Sequence, residues 1–313
     1  MNLPPEFISN MQNVFQEDGN HFLNVLPELI VNASQRWGLT DVQPFDNLSY
    51  NFVAFAKRGD SDVVLKIGVP HDELISEIEA LRLFHGEGAC RLIDSDAEQG
   101  FLLLERLHPG AMLSTLENDE EATHIAAELM QKTWRPSFDM PLAVAQYSSI
   151  STSHFIKLTD WFDGLKKLRP FYNGGTGPFN ENLVERVERS VRDFFAENHQ
   201  PVLMHGDFHH FNILSSERGW LIIDPKGVIG PAGYEVGPLL INPWGDLLSG
   251  RDYRRMTKRR IDILHEHLGF ERERIREWGL AHAVISAWWS IEDNTGGEYA
   301  LAFAEMIADL DLK

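Results

Sequence analysis

The sequence predicts an α+β protein of two lobes, a small β-rich lobe followed by a larger helical one. Three observations carry this. Short runs of β-forming residues cluster between residues 41 and 107. On either side, apolar residues recur at helical spacings of three and four. A polar loop with short apolar runs around it interrupts the second helical part at residues 201–240.

Residues 1–40 form an N-terminal helical segment, with Phe7, Met11 and Phe15 and then Leu23, Leu26 and Ile30 at helical spacing. Residues 41–107 form the N-lobe. Within it, residues 52–56 and 63–67 are strands joined by the turn Lys57-Arg58-Gly59-Asp60, a hairpin. A helix over 71–85 ends at Gly86, and Phe101-Leu102-Leu103-Leu104 is a further strand. Residues 108–313 form the C-lobe, mostly helical apart from the interruption at 201–240. The glycines of residues 171–178 follow no strand, so that loop is not a phosphate cradle.

A length of 313 residues fits two units or one large two-lobed domain. Hydrophobic residues make up 43% and charged residues 24%, which excludes a disordered chain and leaves material for a core. With 28 Lys+Arg against 47 Asp+Glu, the net charge of −19 opposes broad nucleic-acid binding. The same acidity serves solubility and could attract a cationic substrate. The lone Cys90 excludes an internal disulfide framework and points to a reducing compartment. The N-terminus lacks a basic start and apolar run, and no stretch approaches the roughly 20 residues that cross a bilayer. A cytoplasmic protein without a membrane or nucleic-acid partner is expected, and its oligomeric state is left open.

The informative stretch is His205-Gly206-Asp207-Phe208-His209-His210-Phe211-Asn212, followed by two apolar runs and Asp224. Ile213-Leu214 and the run from Trp220 to Ile223 flank a polar turn ending in Gly219, a hairpin pattern. The residue before the first strand then lies opposite the residue after the second, which brings Asn212 and Asp224 together, with Asp207 close by. Such oxygen donors suit Mg²⁺, which takes its remaining ligands from phosphate and water. The spacing D-x-x-x-x-N matches the catalytic loop of phosphoryl transfer, where Asp meets the acceptor hydroxyl and Asn holds metal. His205, His209 and His210 also invite a zinc reading, but adjacent histidines without an H-x-x-x-H or thiolate pair do not fit one; His205 is expected to anchor the loop.

Phosphoryl transfer demands a strand lysine for the nucleotide phosphates and a helix glutamate to hold it. Lys66 lies inside an apolar strand, where an unpaired charge is costly. The helix after it offers Glu77 and Glu79. At 100° per residue Glu77 falls on the stripe of Leu74, Ile78, Leu81 and Phe84, whereas Glu79 points away, so Glu77 is the partner.

His205-Gly206-Asp207 with Asn212 and Asp224 resembles the aminoglycoside phosphotransferase superfamily, which has a protein-kinase-like fold. Residues 102–110, Leu-Leu-Leu-Glu-Arg-Leu-His-Pro-Gly, look like the interlobe linker of its streptomycin 6-kinase, or aminoglycoside/hydroxyurea resistance kinase, branch. Residues 86–92, Gly-Glu-Gly-Ala-Cys-Arg-Leu, look like that branch as well. The resemblance spans roughly residues 40 to 305 and implies ATP and Mg²⁺ in the cleft. It makes Asp207 the catalytic base or hydroxyl-orienting group, Asn212 and Asp224 metal ligands, and Lys66 the phosphate contact held by Glu77. Backbone groups near Glu105 and Leu107 would receive the adenine, and Glu235 would brace the catalytic loop.

Two departures stand out. Asp224-Pro225-Lys226-Gly227 replaces the Asp-Phe-Gly or Asp-Trp-Glu of most relatives. The phosphate-covering loop, residues 45–51, contains no glycine, and Ser49 and Asn51 are its candidate phosphate donors. For the acceptor, Trp288, Glu292 and Asp293 suit a cationic group through charge and cation–π contacts. The other reading places Trp288 in the core and uses Glu292 and Asp293 to end a helix. Asp160 and Asp163 are further acidic candidates, and Trp278 and His282 are read as packing residues.

The expected activity is transfer of the ATP γ-phosphate to a hydroxyl of an aminoglycoside-like or other cationic small molecule. The alternatives are an amino-alcohol or sugar kinase of the same fold, a nucleotide-binding regulator without turnover, and a metal-dependent hydrolase. The regulator leaves the retained catalytic set unexplained, and the hydrolase leaves Lys66 unexplained.

Overall fold

The structure, a computed structural model, describes residues 3–136, 155–197, 200–243 and 252–312. Met1, Asn2 and Lys313, at the ends of the two outer predicted segments, lie outside them.

The N-lobe is a five-stranded antiparallel sheet of β1 (Leu39–Pro44), β2 (Phe52–Arg58), β3 (Ser61–Ile67), β5 (Phe101–Glu105) and β4 (Leu92–Asp96), in that spatial order. Strand alternation gives it two faces. Leu65 and Ile67 pack with Phe52, Ala54 and Leu103 beneath α1 (Pro5–Trp37), whose Phe7, Met11, Phe22 and Leu26 complete that cluster. Leu102 and Leu104 turn the other way, onto Leu74, Ile78 and Leu81 of α2 (Asp72–Phe84).

Helix α1 is one element with an elbow, at Gln16 (φ 51°, ψ −117°), and it stops at Gly38 in the left-handed conformation. The elbow folds its first turns back over the lobe, so that Asn10 Nδ2 donates to the Ser49 carbonyl (3.3 Å). The strands β1 and β4 are not evident in the sequence. Both are edge strands, largely exposed and polar, and carry no apolar alternation to mark them.

The C-lobe is helical around the Arg272–Glu292 helix, whose Trp278, Ala281, Val284, Ile285 and Trp288 are buried. Helix α3 (Asp119–Thr133) starts on Asn118, whose side chain accepts from Glu120 and Glu121 N–H. Two small sheets lie against the cleft. One joins β6 (Pro109–Met112) to the hairpin of β10 (Ile213–Ser216) and β11 (Gly219–Ile222). The other joins β7 (Arg135–Pro136), β9 (Val202–Met204), β12 (Val228–Gly230) and β8 (Ile156–Lys157). The lobes meet where Cys90 N–H donates to Ile222 O (2.9 Å) and Arg218 reaches Gly86 O (2.6 Å) and the Glu105 carboxylate. Cys90 itself is buried. Among the described residues no helix is long and apolar enough to cross a membrane.

Candidate active site

The loop after β9 is built around Gly206. Its φ of +87° is a left-handed conformation that favours glycine, and an added Cβ would stand 2.4 Å from Val228 Cγ2. This close approach lets Glu235, wholly buried, accept the N–H groups of His205 (2.9 Å) and Gly206 (2.8 Å). Burial pushes the Glu235 carboxyl up to about 7, with those two N–H groups opposing. His205 carries the other half of the brace. Its Nε2 bonds the Ile223 carbonyl (2.8 Å) and its Nδ1 receives the Asp207 N–H (3.1 Å), an arrangement only the neutral ring supports. Burial pulls its pKa down to about 4, which keeps it neutral.

So held, Asp207 faces the cleft. Burial alone would raise its pKa, but His209 and Lys226 outweigh that and hold it well below the usual carboxylate range. His209 Nε2 lies 3.4 Å from its Oδ2. Asn212 Nδ2 donates to the Asp207 carbonyl (3.0 Å), which fixes the amide with its oxygen as the remaining donor atom. In the hairpin Ile213 pairs with Ile222 and Ile223 N–H donates to Asn212 O (2.9 Å), so the chain delivers Asp224 beside Asn212. Asp224 has φ +57°, a strained conformation for a residue with a Cβ. Its carboxylate takes the ammonium of Lys66, and Lys66 and Lys226 hold it low against the opposing effect of burial. Asn212 and Asp224 thus stand at the same end of the hairpin, an amide oxygen and an ionised carboxylate, donor types that suit Mg²⁺.

Lys66 lies on β3 with its side chain on the α2 face, and its Nζ meets both Glu77 oxygens at 2.7 Å. Glu79 is buried too, but it turns to Arg82, as the helical wheel requires. Burial opposes the Lys66 charge, yet Asp224 and Glu77 hold its pKa above the ordinary value. Burial lifts Glu77 to about 7 against the pull of Lys66.

Lys66, Glu77, Asp207 and Asp224 open onto one cavity of about 730 Å³, whereas Asn212 does not line it. Asn51 lines it as well, together with Trp161, Trp289, Glu292 and Asp293; Trp161 stands next to the catalytic loop, its ring 3.2 Å from where a Gly206 Cβ would be. Trp161 and Trp289 meet edge to face, with ring centroids 5.3 Å apart. Other sequence candidates do not reach the cavity wall. Trp288 is 1% exposed and packs on Phe171, so the ring presented to the cavity is its neighbour Trp289. Ser49 is exposed, with its carbonyl taken by Asn10. Glu105 sits at the interlobe linker, its N–H on Arg91 O (3.0 Å) and its carboxylate on Arg91 and Arg218; Leu107 packs near Cys90 and Leu104. Asp163 pairs with Lys166 (2.7 Å), and neither it nor Asp160 lines the cavity.

Several lining residues escape the sequence reading. The positions 282, 286, 289 and 293 form one helical stripe, a spacing that would have chosen Trp289 over Trp288. No sequence signal places Val14 and Phe15 in the wall; they arrive there through the Gln16 elbow, with Phe15 against His71 at 5.1 Å.

Residues 36–294 match the model of a family described as aminoglycoside/hydroxyurea antibiotic resistance kinase. The chain is 28% identical over 295 residues to a streptomycin 6-kinase of Streptomyces glaucescens, covering 94% of this chain and 92% of that one. It is 31% identical over 309 residues to a hydroxyurea phosphotransferase of Kitasatospora aureofaciens, covering 97% and 84%. Among solved structures, a choline kinase of Streptococcus pneumoniae superposes with a TM-score of 0.60 at 14% identity, covering 92% of this chain and 98% of that one. The aminoglycoside phosphotransferase APH(4)-Ia, in complex with ADP and hygromycin B, gives 0.57 at 14%, covering 90% and 98%. The α+β architecture is therefore the protein-kinase-like fold of those enzymes.

Proposed function

The chain belongs to the aminoglycoside/hydroxyurea antibiotic resistance kinase family, and from that premise we propose that it transfers the γ-phosphate of ATP to a hydroxyl of a cationic, aminoglycoside-like small molecule. That it is a small-molecule kinase acting on hydroxyl groups follows from the family. ATP, Mg²⁺ and a cationic acceptor are the finer reading. One observation carries it: a single cavity is lined by Lys66, Asp207 and Asp224 and also by two tryptophans, Trp161 and Trp289, with two carboxylates, Glu292 and Asp293.

Each residue has a distinct task in this reading. Lys66, tethered by Glu77, meets the nucleotide phosphates, while Asn51 faces them from the covering loop and Ser49 shapes that loop. Backbone groups near Glu105 and Leu107 receive the adenine, the Glu105 N–H itself being taken by Arg91 O (3.0 Å). Asn212 and Asp224 would hold Mg²⁺, which when bound neutralises phosphate charge. Asp207 orients the acceptor hydroxyl and accepts its proton; with so low a pKa it is a weak base, and positioning is its main contribution. Trp161 and Trp289 offer ring faces, and Glu292 and Asp293 offer charge, to an ammonium or guanidinium. Trp288 supports that wall from the core.

The test is ADP release by the purified protein with Mg·ATP, across streptomycin, other aminoglycosides, hydroxyurea, choline and neutral sugars. Acceptor-dependent ADP with the cationic aminoglycosides is expected, and Asp207→Asn should lower it about 10²–10⁴-fold while ATP still binds. Saturation by neutral sugars alone would overturn the cationic acceptor. Preference for choline would move the assignment to an amino-alcohol kinase. Undiminished turnover in Asp207→Asn would remove the role given to Asp207.

A further inference from the structure

The turn after Asp224 carries a lysine that the reaction as described does not use. Lys226 lines the same cavity as Asp207 and Asp224, and its backbone is pinned on both sides. Its N–H donates to His205 O (2.7 Å), in the catalytic loop. The next residue, Gly227, gives its carbonyl to Ser76 Oγ of α2 (2.8 Å). The Cα of Lys226 is therefore fixed where the metal-binding turn, the catalytic loop and α2 meet.

Its ammonium is held very differently from that of Lys66. The Lys66 side chain is 6% exposed and locked between Glu77 and Asp224. The Lys226 ammonium rests on one carboxylate, Glu73, at 3.5 Å, with both side chains more than a third exposed. A long, solvated pair of this kind is worth at most about 1 kcal/mol, so a doubly charged phosphoryl oxygen set displaces it readily. The charge balance calls for such a cation. Lys66 already faces two carboxylates, and Asp207 adds a third negative group at the point where a further anion must arrive. Glu73, Asp207 and Asp224 line the same cavity as Lys226, as do Tyr50 and Asn51 of the phosphate-covering loop. Lys226 thus stands among the metal carboxylate, the hydroxyl-orienting carboxylate and the covering loop.

Resting on the phosphotransferase reading above, we propose that Lys226 is a second cation of the transfer step, leaving Glu73 to contact the phosphoryl group as it moves from nucleotide to acceptor. The acceptor oxygen forms its bond to phosphorus as the bond from phosphorus to the β–γ bridging oxygen breaks. That electron pair leaves with ADP, and the hydroxyl proton passes to the Asp207 carboxylate. Lys226 gives up no proton and forms no bond; it balances the charge on the oxygens in flight, as a preorganised donor does in other charge-developing reactions.

The proposal separates transition-state from ground-state binding. In Lys226→Met, kcat should fall about 10²–10³-fold, while affinity for Mg·AMP-PNP changes only a few-fold. Affinity for Mg·ADP with aluminium fluoride, a stand-in for the phosphoryl group in flight, should fall by the same factor as kcat. Lys226→Arg should recover part of both losses, which a folding defect would not allow. Unchanged kcat in Lys226→Met would overturn the proposal, and so would equal losses of AMP-PNP and aluminium fluoride affinity, which would make Lys226 a ground-state phosphate grip. The analogue measurement needs no acceptor. A wild-type chain that binds the analogue but makes no ADP with any acceptor counts against the substrate assignment and leaves Lys226 judged by the binding ratio.

Discussion

At Lys66 one ammonium serves two carboxylates, and the site's pH behaviour follows from how they share it. Burial holds Glu77 near 7, so its ionised form depends on the lysine beside it. Lys66→Met removes that support and leaves two acidic groups facing each other at the cleft floor. A buried carboxylate without its partner has a folded pKa above its unfolded value, so its stability is intact below the unfolded pKa and lost as pH rises through the folded one. Lys66→Met is therefore expected to lose about 3–5 kcal/mol against wild type near pH 8 and clearly less near pH 5, read by urea denaturation at both. A loss independent of pH would show that Glu77 does not depend on Lys66 for its charge. Residues of this kind were legible in the sequence. A lysine inside an apolar strand is a contradiction that only a buried partner resolves, and helical periodicity alone separates Glu77 from Glu79. Trp288 was not resolved in the same way, because two adjacent tryptophans on a helix can be told apart only once the stripe they belong to has been traced.

Between elements, one contact that couples the lobes is Gly227 on Ser76. An added Cβ there would lie 2.5 Å from Ser76 Oγ and 2.7 Å from its carbonyl oxygen, at φ +67°. Gly59, in the β2–β3 turn, has φ +60° and nothing within 4 Å, which makes it a control for backbone strain alone. Gly59→Ala should cost about 1–2 kcal/mol. Gly227→Ala should cost more and also weaken nucleotide binding, because α2 must shift and it carries Glu77. Melting curves and AMP-PNP titration of the two variants check this, and equal costs would mean that α2 yields without resistance. The elements themselves were readable where an apolar pattern was strong: the β2–β3 hairpin, α2 and the β10–β11 hairpin all stand near their expected positions. Edge strands were not readable, nor was the return of β6 onto β10, since pairing over about a hundred residues leaves no local trace.

For the whole molecule, the acidic surface and the buried histidines set opposite demands as pH falls. His282 is bonded to Tyr234 Oη (3.0 Å), and burial lowers its pKa to about 4 from 6.5. The unfolded chain takes up that proton first, so His282 costs stability as pH drops from 6.5 to 4, on the order of 3 kcal/mol in all. His205 acts with the same sign over the same window. The difference in stability between pH 6.5 and 4 should thus be smaller in His282→Phe than in wild type, measured by denaturant titration at each pH. Identical differences would mean that the ring is not held neutral. The net charge of −19 does not oppose a polyanionic nucleotide, because screening over about 8 Å leaves the cleft to its own local charges.

The elbow in α1 bears on how such an enzyme can diverge. The family match begins at residue 36, whereas Val14 and Phe15, which wall part of the cavity, precede it. Part of the cavity wall is thus written ahead of the family span that carries Lys66, Asp207, Asp224 and Trp289. A substitution in those first turns changes the shape of the cavity wall without altering Lys66, Asp207 or Asp224.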